Sequence, residues 1–114
     1  MGCHNTYENH PDKRFKTHWY QESYSEAKYA VLEIAKGLEM SISSVNDEYQ
    51  EIYLISPKYN LMIKITSFSI GETSIDLYLE SRRKLDFFAW KRFMGFWHSE
   101  LARKLTFIGI ALHP

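Results

Sequence analysis

This chain of 114 residues has one cysteine, three prolines, five glycines and no long uninterrupted apolar run. The lone thiol, Cys3, excludes an internal disulfide framework and a zinc site built from several cysteines, so a reducing cytoplasm is the expected setting. Nothing approaches the ~20 apolar residues that span a bilayer, and the most aromatic segment, 85–97, is interrupted by Asp86, Lys91 and Arg92. The first residues lack a basic region followed by an apolar one, so no secretory signal is expected. An excess of one charge is missing too. Fourteen basic and fourteen acidic residues cancel, which removes the field that draws proteins to nucleic acid or anionic lipid. Gly71, Gly95 and Gly109 stand apart, so no phosphate-cradling glycine loop is present.

What remains is a composition suited to one folded domain. Hydrophobic residues make up 45% and charged residues 25%, which argues against disorder over residues 1–114. Aromatics reach 16%, and such large side chains compensate for a small core or supply an interface.

Period and turn chemistry divide the chain into elements. Residues 1–13, with Asn5, Asn9, Pro11 and Asp12, show no period and read as a flexible arm. Phe15, Thr17 and Trp19 alternate within a short strand over 15–20. Ser23 and Glu26 have the spacing of a capping box, in which each side chain serves a backbone N–H. Ala27, Ala30, Val31, Ile34 and Leu38 then trace a helical stripe, with Gly37 as its expected left-handed stop.

Four strands follow, over 40–45, 49–55, 61–68 and 74–80, and their short connections favour antiparallel neighbours. Leu61, Ile63 and Ile65 share one face, as do Ile75, Leu77 and Leu79. A second helix is predicted over 85–104, with Phe87, Trp90, Met94, Trp97, Leu101 and Leu105 in its stripe and Asp86 as a candidate cap. The apolar segment 106–114 reads as a further strand or a docking tail.

The order β-α-β-β-β-β-α predicts an α+β two-layer sandwich: an antiparallel sheet of about five strands with both helices on one face. That order resembles the topology shared by TATA-binding-protein repeats and helix-grip ligand-binding domains. The resemblance is one of topology and implies a fold, not an activity.

Candidate chemistry is sparse. Cys3, His4, His10 and His18 are ligand types for zinc or copper, but their spacing matches no compact knuckle, so they read as solvated arm residues and no metal or cofactor is assigned. Gly2, Cys3 and Thr6 match an acylation pattern, the one route by which this sequence would reach a membrane. His98 reads as a surface or boundary residue, because Glu100 lies two positions away on a helix and points elsewhere. Asp76 and Glu80 on one strand stand about 13 Å apart between Cα atoms, farther than a glycosidase pair. Pairing of Glu51 with Lys64 across strands accounts for such charges without catalysis. No catalytic residue is assigned. Nucleic acid is disfavoured as a partner, since Glu51, Asp76 and Glu80 share the sheet face that would meet phosphate.

Two expectations of function survive. The first is a non-catalytic protein-interaction module, a homodimer or a binder of another protein. Its contact surface would be the aromatic sheet face bearing Tyr49, Tyr53, Met62, Phe68 and Tyr78, or the apolar carboxyl-terminal segment with Phe107, Ile108 and Ile110. The second is a domain that binds an apolar small molecule in a pocket between the second helix and the sheet. Trp90, Phe93, Met94 and Trp97 would line it beside Ile63, Ile65, Leu77 and Leu79.

Overall fold

Alternation of apolar and polar residues along the middle of the chain produces a sheet with two unlike faces. The computed structural model describes residues 2–5, 17–81 and 87–110. Among them the elements are β1 (Gly2–Asn5), β2 (His18–Tyr20), α1 (Tyr24–Gly37), β3 (Ser41–Asn46), β4 (Glu51–Ile55), β5 (Tyr59–Ser69), β6 (Glu72–Ser81), α2 (Phe87–Lys104) and β7 (Phe107–Ile110). The fold is α+β, with an antiparallel sheet in the order β3-β4-β5-β6-β2-β7 and two helices packed on it. The expected two-layer architecture is observed, and 107–110 form the extra strand beside β2.

Four residues of the segment read as a loose arm, Gly2–Asn5, pair with Ser81–Tyr78 of β6. On the same edge of β6, further along, His18–Tyr20 pair with Ile75–Thr73. β1 and β2 therefore lie end to end along one strand, a long-range arrangement that local pattern does not encode. The rest of the 1–13 segment, with Phe15 and the candidate cap Asp86, lies outside the described residues.

The core is built from in-register rows. Leu54, Leu61 and Leu79 form one row, and Ile52, Ile63 and Leu77 the next. Ile65, Ile75 and His18 form a third. All eight aliphatic side chains are buried, packed under Ala27, Ala30, Val31 and Ile34 of α1 and Met94, Trp97 and Leu101 of α2. Full burial of an aliphatic side chain contributes about 1.5–3 kcal/mol, so these rows supply the main force holding the layers together.

The capping reading of α1 needs refinement. The Glu26 N–H donates to Ser23 Oγ at 3.4 Å, but the Ser23 hydroxyl itself donates to the Glu26 carboxylate at 3.2 Å. At the other end Gly37 is the last helical residue, and Glu39 rather than Gly37 takes the left-handed conformation, with φ 58°. The Glu39 N–H donates to Lys36 O at 3.1 Å and the Met40 N–H to Ala35 O at 2.9 Å. These two bonds make a Schellman closure, shifted two residues beyond the glycine. Gly71, in the tight β5–β6 turn, does adopt a positive φ of 80°.

Candidate functional site

The face of the sheet turned away from the helices carries the side chains that the inner rows do not use. Tyr53, Met62 and Tyr78 lie in direct register across β4, β5 and β6. One register step along stands a second row, Glu51, Lys64 and Asp76, alternating in charge. Cross-strand neighbours of this kind have Cβ atoms about 5 Å apart, so the first row is a continuous ring–thioether–ring strip. A shallow groove of about 420 Å³ opens over it, edged by Ser43, Ile55, Asn60 and Glu80. Tyr53 is 39% and Ile55 36% exposed, while Met62 and Tyr78 are half-buried.

Hydrogen bonds fix the strip's polar edges. Tyr53 Oη donates to Glu51 Oε1 at 3.0 Å, and Thr17 Oγ1 donates to Asp76 Oδ1 at 2.7 Å. Asn60 Nδ2 donates to Glu80 Oε1 at 3.4 Å, and Lys64 Nζ donates to the carbonyl of Tyr49. The bond to Glu51, followed by burial and the Glu51 charge, raises the pKa of the Tyr53 phenol. Burial raises that of Tyr78, with Asp76 and Glu51 adding to it. Both phenols stay protonated at neutral pH and present a hydroxyl donor on an apolar body.

The remaining residues of the expected sheet-face surface separate from this strip. Tyr49 lies in the β3–β4 turn, exposed at the rim, where its N–H donates to Asn46 Oδ1 at 3.1 Å. Phe68 is exposed near the far end of β5, edge-on to Trp19 with centroids 5.9 Å apart. Six residues along a strand span about 20 Å, so Phe68 and Met62 belong to different patches. In β7, Phe107 and Ile108 are exposed and Ile110 is half-buried. The Phe107 ring is tilted against His18 and Tyr20, with centroids 5.5 and 5.6 Å away.

Of the side chains assigned to a pocket under α2, six belong to the buried core. Ile63, Ile65, Leu77, Met94 and Trp97 have no exposed surface and Leu79 almost none. Phe93 is stacked on Tyr59 with centroids 4.3 Å apart. Trp90 lies within α2, and its side chain is outside the described residues.

The histidines correct the sequence reading. His18, grouped with solvated arm residues, is buried, and so is His98, read as a boundary residue. Their rings stack 3.6 Å apart at 12°. The reason is register: pairing with Ile75 turns His18 to the helix side, where α2 presents His98. No local sequence signal announces that meeting. Among the described residues no cluster of three or more His, Cys, Asp or Glu gathers to hold a metal, and no helix is long and apolar enough to cross a membrane. Cys3 lies in β1, and its side chain is outside the described residues, as is that of His4. His10 and Thr6 of the metal and acylation readings also lie outside them.

Ser43, Ile55 and Asn60 were not singled out by sequence reasoning, which weighed Glu80 only as a charge on the outward sheet face. Counting registers from the β4–β5 and β5–β6 turns would have placed Asn60 beside Glu80, its direct neighbour. No model of a known protein family matches the chain, and no curated protein matches it.

Proposed function

We propose that this protein is a non-catalytic interaction module that pairs with a second copy through its open sheet face. The Tyr53–Met62–Tyr78 strip carries the reading. It combines apolar area with hydroxyl donors, the mixture enriched where protein surfaces meet. A two-fold axis along the strip sets rings against rings. The balanced net charge of zero leaves no long-range repulsion to oppose such a contact. With a single cysteine the module suits a reducing compartment.

Sedimentation velocity over a range of concentrations tests the reading. The wild-type chain should self-associate as concentration rises, and Met62→Lys at the centre of the strip should weaken association through the face roughly thirtyfold, equivalent to about 2 kcal/mol. A wild-type monomer at every concentration, or a dimer indifferent to Met62→Lys, overturns it.

A further inference from the structure

One margin of the sheet offers a second contact, independent of the face. β3 has β4 as its only sheet neighbour among the described residues, so its other side presents a row of backbone N–H and C=O groups. Its sequence, Ser-Ile-Ser-Ser-Val-Asn, contains neither charge nor proline, two of the devices by which sheet edges are commonly blunted. Five of its six residues are exposed.

A bulge between Ile42 and Ser44 brings Ile42 and Val45 to the same side, opposite the core residues Leu54 and Ile52. Yet Ile42 is 51% and Val45 38% exposed. Between this edge and α1 runs a furrow of about 740 Å³, lined by Tyr29, Leu32, Lys36, Met40 and Ile42 among others. A sheet edge beside a helix, with an apolar furrow between, is the geometry in which an extended segment adds a strand. Backbone bonds supply affinity, and side chains on one face of the added strand enter the furrow.

We infer that the strand added here is β3 of a second copy, laid antiparallel across a two-fold axis. Charge supports this occupant. Lys104 and Asp47 are already engaged, by Glu33 at 2.9 Å and Lys28 at 3.0 Å. Lys36 lines the furrow beside Ile42, at the start of β3, and Glu48 follows the end of β3; neither makes an ion pair among the described residues. Antiparallel pairing carries Glu48 of one copy to the Lys36 end of the other, and symmetry repeats the match. Ile42 and Val45 of the added strand supply exposed apolar groups to meet Leu32, Met40 and Ile42 of the furrow. Glu39 is the opposing charge at that end.

Hydrogen–deuterium exchange of the wild-type protein, below and above its association range, reads the contact directly. The amides of Ser41–Asn46 should slow on association. In sedimentation, Val45→Lys should weaken association about tenfold or more. Lys36→Glu should weaken it too, Lys36→Glu combined with Glu48→Lys should restore it, and Glu39→Lys should tighten it. Unchanged β3 exchange on association, or a charge swap that restores nothing, overturns the inference. Met62→Lys separates the two contacts, because it removes the face contact and leaves concentration-dependent β3 protection intact. A monomer at all concentrations overturns both.

Discussion

Tyr20 is wholly buried, and its hydroxyl has no hydrogen-bond partner among the described residues. An unmet buried donor costs about 1–3 kcal/mol, while its ring fills space beside Phe107. Tyr20→Phe keeps the ring and removes the unmet group. We expect it to stabilise the protein by about 1 kcal/mol in urea denaturation, and a loss of stability would mean that the hydroxyl is satisfied. At this scale the sequence was informative where neighbours in space are close in the chain. Tyr53, Met62 and Tyr78 follow from counting strands between short turns. The His18–His98 stack and the burial of Tyr20 do not, since both depend on β2 lying between β6 and β7.

Single elements show the same division. Both helices follow from apolar residues at steps of three and four, and Ser23 marks the start of α1 as its spacing implied. The end of α1 was not legible, because glycine is the usual but not the obligatory left-handed residue. The helix runs through Gly37, and Glu39 takes the φ of 58° needed to turn into β3. That conformation costs an L residue about 1–2 kcal/mol. Glu39→Gly should therefore raise stability by about 1 kcal/mol. Gly37→Ala should do so by a similar amount, since an added Cβ there meets nothing within 4 Å. Thermal denaturation of the two variants checks the assignment, and a destabilised Glu39→Gly would place the left-handed residue elsewhere.

For the whole molecule, the two-sided sheet was legible because four consecutive strands with short turns have one economical arrangement, the meander β3-β4-β5-β6. Its closure was not: the insertion of β2 between β6 and β7, and of β1 beyond it, is set by burial and not by pattern. Two shielded phenols govern the response to alkali. Burial raises the Tyr20 phenol well above its ordinary value, and burial followed by the Asp47 hydrogen bond and charge pushes Tyr24 up to about 12. Unfolded phenols release their protons near pH 10. The stability these groups confer is thus complete below pH ~10 and is lost as pH rises through their folded values. Urea midpoints should hold between about pH 8 and 9 and fall by about pH 11, with a smaller fall in Tyr20→Phe; equal midpoints at both extremes would contradict this.

The place of β2 between β6 and β7 also sets an order of events during synthesis. His18–Tyr20 leaves the ribosome early, yet both of its partners are translated much later. The meander can zip as it emerges, each strand finding the one before it, while β2 waits as an unsatisfied segment. The nascent chain therefore holds an open slot beside β6, and α2 can seal it only once β2 has been drawn back.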